Sequence, residues 1–453
     1  RRLCSLFAPP QRAQQELCDL LAPQPLGPLQ RGAPGPILHL DGGAGGEQPP
    51  ADGLVAGGLR GGAATHYFEQ HMIHNVLGWG EASDVDEWGE HLSGMTSYSQ
   101  HFVAADTSGN ILYSGFQAMP CRRYLPRDEE GQPLPGAHPQ RLIDGTLYPS
   151  FEVRYTEDRL IDPAKDSDTA CALTWAEYPH SKNPPQGYLL NSNNAPADFA
   201  WDNDLFNDPV YIGGPWYGTW RGSRIDELLL EGAGSHSVES MAAIQADTKS
   251  RMATEFLAHL LSALDTAEAH AMDPTIDSMT SSGRMAALWA SHGAQLEEAR
   301  GRLTTWDARD LNAASGVETF YNSPDQGDID DAVATMIWNA YFGRFLRSVW
   351  NDEGLPSVFR PTSSYGRTRA LKSLLDGIGP TGGELLSMDP ETGESVFFDD
   401  ISTEVTESSG ELMVTALVAA LDWLSEEFET EDQAEWLWGL KHTVSFDSFV
   451  ARE

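Results

Sequence analysis

Three apolar stripes at helical spacing constrain this chain more than any other feature in it. Met252, Phe256, Leu260 and Leu264 recur every four residues, and so do Val333, Ile337, Tyr341, Phe345 and Val349; Met413, Leu417, Leu421, Leu424 and Phe428 recur every three or four. Such a repeat puts its side chains on one face of a helix, and an apolar face of that length has to be buried against another. The second half of the chain therefore reads as a helical core, with Ser237 placed to cap the helix that carries the first stripe. The stripes are core rather than cofactor boxes. At 453 residues the chain has material for one large domain or two ordinary ones.

The beginning differs in kind. Pro and Gly dominate from Pro23 to Gly62, as in Gly32-Ala33-Pro34-Gly35-Pro36 and Asp41-Gly42-Gly43-Ala44-Gly45-Gly46. Runs like these bury too little to offset the entropy of ordering them. Residues 1–62 are expected to be a disordered or non-native segment, and residues 63–453 the folded region, with mixed strands to about residue 230 and mainly helix over 231–440. His66 to Leu77 reads as a helix, and Ser83 as the N-cap of a second one that has acids in its first turn. His71 and His74 share a face of the first helix, but no third ligand accompanies them and they read as ordinary helix histidines. Gln100–Asp106 and Gly109–Gly115 flank a turn at Thr107-Ser108 and predict a β-hairpin.

Charge removes two partner classes. A formal net charge of −38 repels nucleic-acid phosphate and anionic lipid alike. No stretch approaches the roughly 18 consecutive apolar residues of a membrane-spanning helix. Arg1-Arg2-Leu3-Cys4 has a basic start without the apolar run of a secretion signal. The four cysteines, Cys4, Cys18, Cys121 and Cys171, have no metal-ligand spacing. Cys121 and Cys171 are either a disulfide of an exported protein or two buried thiols.

Chemistry concentrates between Gln186 and Leu228. Gly187-Tyr188-Leu189-Leu190 reads as a short apolar strand that runs into Asn191-Ser192-Asn193-Asn194 and stops at Ala195-Pro196. Asparagines there either close an Asx-turn or aim uncharged amide donors, which suit a developing oxyanion because they neither titrate nor need a counter-ion. Asp202, Asp204 and Asp208 alternate with Asn203 and Asn207, an oxygen-rich run that is either solvated or fit for a hard cation such as Ca²⁺. Gly213-Gly214-Pro215-Trp216 forms an aromatic turn, and Arg221 sits at a helix start where its planar fork can brace a carboxylate or an amide carbonyl.

In this order, Asn-Pro, Gly-Tyr, the Asn-x-Asn-Asn-x-Pro run, Asp204-Leu205-Phe206, the Trp/Gly turn, Arg221 and Ile225-Asp226-Glu227-Leu228-Leu229 resemble the large β subunit of the penicillin acylase family of N-terminal-nucleophile amide hydrolases. The Ala105-Asp106 to Tyr113 hairpin is a second match, and the likeness runs over roughly residues 65–450. It implies an α+β fold, the αββα sandwich of N-terminal-nucleophile hydrolases, here incomplete, with a large helical portion. It implies Asn193 as the oxyanion-hole donor, Arg221 as its support, Asp204 as a ligand of one structural Ca²⁺, small N-acyl amides as substrates, an α subunit or N-terminal segment as partner, and a periplasmic or secreted location.

The family's attacking group is a new N-terminal Ser, Thr or Cys whose own α-amino group, with a pKa near 8, acts as base. Arg1 has no such chemistry, and the family's Asp-Pro-His-Leu segment is missing from the sequence. The residues as they stand are therefore expected not to hydrolyse amides. The rival reading is a non-catalytic calcium-binding or interaction module on the same fold. A glycoside hydrolase would need a specific carboxylate pair, and none stands out.

Overall fold

A computed structural model describes residues 72–444 apart from 95–99, 122–124, 139–142, 145, 149–151, 165–170, 198–211, 213–219, 321–322, 352–363, 380–381 and 384. The Pro/Gly-rich segment 1–62 lies outside the described residues. Those described fall into two compact units, one ending at His236 and one starting at Ser237.

The first unit opens with α1 (Met72–Glu81) and α2 (Val85–Leu92). The cap of α2 falls one residue later than the sequence suggested. Asp84 Oδ1 accepts from the backbone N–H groups of Asp86 and Glu87 at 3.0 and 2.9 Å. Ser83 instead donates its hydroxyl to the Glu87 carboxylate at 2.7 Å, because a carboxylate is the better acceptor for the two free N–H groups of the first turn. The predicted hairpin is present as β1 (Phe102–Ala105) and β2 (Ile111–Ser114), antiparallel with Phe102 opposite Ser114. Its turn is fixed by Asp106, whose carboxylate accepts from the N–H groups of Ser108 and Asn110 and from Asn110 Nδ2, while Gly109 takes φ +86°.

A third strand, β3 (His180–Lys182), pairs antiparallel with β2 and completes a three-stranded sheet in the order β1-β2-β3. Phe102, Phe116, Met119, Ile161 and Tyr178 pack with Leu92 into its core, against Trp79, Trp88 and Trp175. Tyr178 donates its buried hydroxyl to the Gly115 carbonyl at 2.7 Å, so the ring is buried without losing its hydrogen bond.

The irregular stretch after β2 is held by Cys121 and Cys171, which form a disulfide, and by the Cys121 N–H donating to the Cys171 carbonyl at 2.8 Å. Of the two readings open for these cysteines, the structure takes the disulfide. By loop entropy a bridge across 50 residues stabilises by roughly 4 kcal/mol.

The expected strand over Gly187–Leu190 does not form. After β3 the chain turns through Asn183 at φ +48° and Pro184-Pro185, and the Gly187 N–H donates to the Pro184 carbonyl at 2.9 Å. Pro184-Pro185, which have no backbone N–H, end pairing just after β3, and Tyr188–Leu190 pair with no strand among the described residues. The unit's last described helix is α3 (Trp220–Glu231).

The second unit is helical: α4 (Val238–Gln245), α5 (Arg251–Met272), α6 (Ser281–Ala308), α7 (Gln326–Asn351), α8 (Ser364–Asp376), α9 (Ser409–Phe428) and the single turn α10 (Trp438–Lys441). Ser237 caps α4 rather than the helix of the first stripe; Ser250 caps that helix, α5, by accepting from the Ala253 N–H at 3.2 Å. All five stripe residues of α7 are buried, as are Phe256, Leu260 and Leu264 of α5 and Met413, Leu417, Leu421 and Leu424 of α9. The helix α9 packs on α5, α6 and α7 together, which is why it buries residues on more than one face. Arg284 ties α6 to the start of α9, donating its Nη2 to Glu411 and to the Thr406 carbonyl, each at 2.7 Å. The described residues are α+β: one small antiparallel sheet with helices in the first unit and a helical bundle in the second.

Candidate active site

The polar run that follows Leu190 is a turn, and its geometry comes from its own amides. Asn191 Oδ1 accepts from the Asn193 N–H at 3.3 Å, and Asn194 Oδ1 accepts from the Ser192 N–H at 3.1 Å. Asn193 sits at φ +66°. A side chain with a Cβ is rare in that left-handed region, and Asn is among the residues that tolerate it best. The turn is anchored downstream. Ala195 is buried, and Pro196 lies against the end of β2 so closely that a Cβ on Gly115 would come within 2.9 Å of the Pro196 Cβ. Glycine at position 115 is therefore what lets the turn and the sheet approach.

The Asn193 side chain is exposed, and Arg221, in the first turn of α3, donates Nη2 to its Oδ1 at 2.6 Å. Because a guanidinium only donates, the atom it meets has to be the amide oxygen, which settles which way the carboxamide points. The Nδ2 group then carries two protons and meets no protein acceptor among the described residues. A bound oxygen bearing negative charge is what such an arrangement can hold. A second tie between the run and α3 lies just upstream, where Tyr188 donates its hydroxyl to Asp226 Oδ1 at 2.6 Å. That hydrogen bond to the carboxylate, more than burial, raises the Tyr188 pKa.

On the sheet, His101 Nδ1 and the Tyr113 hydroxyl are 2.7 Å apart, with their rings stacked. Burial lowers the His101 pKa and raises that of Tyr113, in each case against the charged form.

Of the residues singled out in the sequence, Asn193 and Arg221 are brought together. Asp204 lies outside the described residues, with Asp202, Asp208 and the Gly213–Trp216 turn. Among the described residues no three His, Cys, Asp or Glu side chains converge as a metal site would require. Of the two readings set out for these asparagines, the Asx-turn is present: Asn191 Oδ1 closes it on the Asn193 N–H, and Asn193 carries the exposed carboxamide that meets Arg221. Reading residue types alone missed the roles of Asn191, Gly115 and Tyr188. The spacing of Asn191 two residues ahead of Asn193 is the signal that could have revealed the first of these.

A profile of the penicillin amidase family matches residues 29–452. The chain belongs to that family, and with it to a group of amide hydrolases. The match begins inside the Pro/Gly-rich stretch, earlier than about residue 65, from which the resemblance was read. No curated protein sequence matches the chain.

Proposed function

We propose that this chain supplies the oxyanion-stabilising part of an enzyme that hydrolyses N-acyl amides, such as β-lactam side chains or acyl-homoserine lactones. Asn193 Nδ2 donates to the tetrahedral oxyanion, and Arg221 orients it by holding Oδ1. The 2.6 Å hydrogen bond between the two carries the reading. It spends the amide oxygen on the protein and leaves the amine for the substrate. Arg221 also adds positive charge one residue away from the developing negative charge, in the direction that lowers the barrier.

The attacking residue in this reading is an N-terminal Ser, Thr or Cys generated by precursor cleavage, with its own amine as base. The fold is the αββα sandwich of N-terminal-nucleophile hydrolases. The location is periplasmic or secreted, which an oxidised Cys121–Cys171 pair suits. No helix among the described residues is long and apolar enough to cross a membrane.

The test is release of a chromogenic amine from phenylacetyl and fatty-acyl anilides by the protein expressed from its complete reading frame. Turnover of at least one series is expected, and a folded, processed preparation that cleaves neither would end the proposal.

A structural Ca²⁺ held by Asp204 belongs to the same reading. The carboxylates and amides next to Asp204 in the sequence are the hard oxygen donors that ion takes, and its charge would offset an acid-rich stretch. Calorimetric titration with Ca²⁺ should show binding that Asp204→Asn weakens; a titration of the native protein that gives no heat, and no shift in melting temperature, removes the ion from the account.

A further inference from the structure

We infer that Asn191 is the positioning residue of the oxyanion donor: by accepting the Asn193 N–H it locks Asn193 into the left-handed backbone from which its amide meets Arg221. This rests on the role proposed for Asn193 and deepens it.

Two features of the loop carry the inference. Asn193 is at φ +66°, a conformation that a residue with a Cβ leaves readily for the broader allowed regions unless something holds it. The side-chain contact that reaches its backbone is Asn191 Oδ1, 3.3 Å from the Asn193 N–H. The direction of that amide is fixed as well, since a backbone N–H can be met only by an acceptor. Asn191 Nδ2 is buried and has no protein partner among the described residues, so the hydrogen bond through Oδ1 is the one this side chain contributes.

The consequences follow the geometry. If the Asn193 backbone relaxes toward negative φ, its Cα–Cβ direction swings away. The carboxamide then loses Arg221, and Nδ2 no longer presents an N–H from a fixed position. Arg221 fixes the rotation of the amide, whereas Asn191 fixes where the side chain starts. The downstream half of the loop is held separately, by Asn194 on Ser192 and by Pro196 on Gly115, so loss of Asn191 should loosen the position of Asn193 without unfolding the turn.

Asn191 touches no reacting atom in this scheme, so its test must separate positioning from mere structure. Asn191→Ala is expected to lower kcat by up to about 10²-fold with KM little changed, as a misplaced transition-state donor does. Asn191→Ser retains a neutral acceptor able to form the equivalent turn, and should recover most of the loss. In an Asn193→Gly background, where no donor remains to be positioned, Asn191→Ala should have no further effect on kcat. The inference is overturned if Asn191→Ala leaves kcat within about twofold of the native protein, if Ser behaves like Ala, or if the loss carries over undiminished into the Asn193→Gly background. Should Asn193→Gly by itself leave kcat unchanged, the oxyanion role of Asn193 is what fails, and that result is read before any of the others.

Discussion

Asn193→Gly is expected to lower kcat by about 10²- to 10³-fold, equivalent to roughly 2.7–4 kcal/mol of transition-state stabilisation, while KM stays close to the native value. The split follows from when the interaction forms. A ground-state amide carbonyl asks little of the Nδ2 donor, whereas the tetrahedral intermediate concentrates charge on the same oxygen. Glycine is the informative replacement because it keeps the φ of +66° at no steric cost, whereas Ala at that position adds backbone strain to the loss of the amide. Asn193→Asp should be at least as damaging. It preserves the shape and strengthens the pairing with Arg221, but it replaces two donors with a negative charge facing the oxyanion. The side chain is exposed, so unfolding midpoints of the Gly variant should remain near native. Steady-state kinetics on an acyl anilide, with a melting curve for each variant, make the check, and a Gly variant that retains native kcat would remove Asn193 from the chemistry.

What the sequence revealed and what it concealed divides along the range of the interactions involved. The helical stripes were legible because burial acts on every turn of a helix; Val333, Ile337, Tyr341, Phe345 and Val349 are all in the core where the spacing put them. The hairpin was legible because Asp106, Asn110 and Gly109 carry the turn chemistry locally. Gly187–Leu190 misled, because an apolar run states a preference for burial and not the presence of a partner strand, and Pro184-Pro185 just upstream was the contrary signal. The caps were misplaced by a residue at Ser83 and by a helix at Ser237, since several capping residues compete within a few positions and the winner depends on where the first free N–H groups fall. At the site, the meeting of Asn193 with Arg221 joins residues 28 positions apart in the sequence. Residue order suggested the pair only by resemblance, and no local rule contains the distance. The left-handed backbone of Asn193 is concealed for a similar reason: its sign is set by Asn191 and by the packing of Pro196 on Gly115, and only the first of these lies within two residues.

The same long-range logic makes Trp338 the position where stability should suffer most. It is fully buried on α7, with its ring 5.0 Å from that of Phe342, 5.6 Å from Tyr341 and 6.5 Å from Trp306 of α6. Trp338→Ala removes the largest side-chain volume any core position of this bundle can lose. The surrounding helices are pinned by Arg284–Glu411 at one end and by the Arg309–Asp331 pair near the start of α7, so they cannot collapse into the gap. A cavity that stays open costs contacts as well as transfer free energy, and the expected loss is about 3–5 kcal/mol, a large share of what holds an ordinary domain together. Trp338→Phe separates packing from polarity. The indole Nε1 is buried without a protein partner among the described residues, so phenylalanine forfeits volume but no hydrogen bond and relieves the burial of a donor. The Phe variant should therefore unfold much nearer the native midpoint than the Ala variant does. Urea unfolding followed by far-ultraviolet circular dichroism gives the comparison. Equal losses for Phe and Ala would mean that the indole N–H, rather than ring volume, is what the bundle depends on.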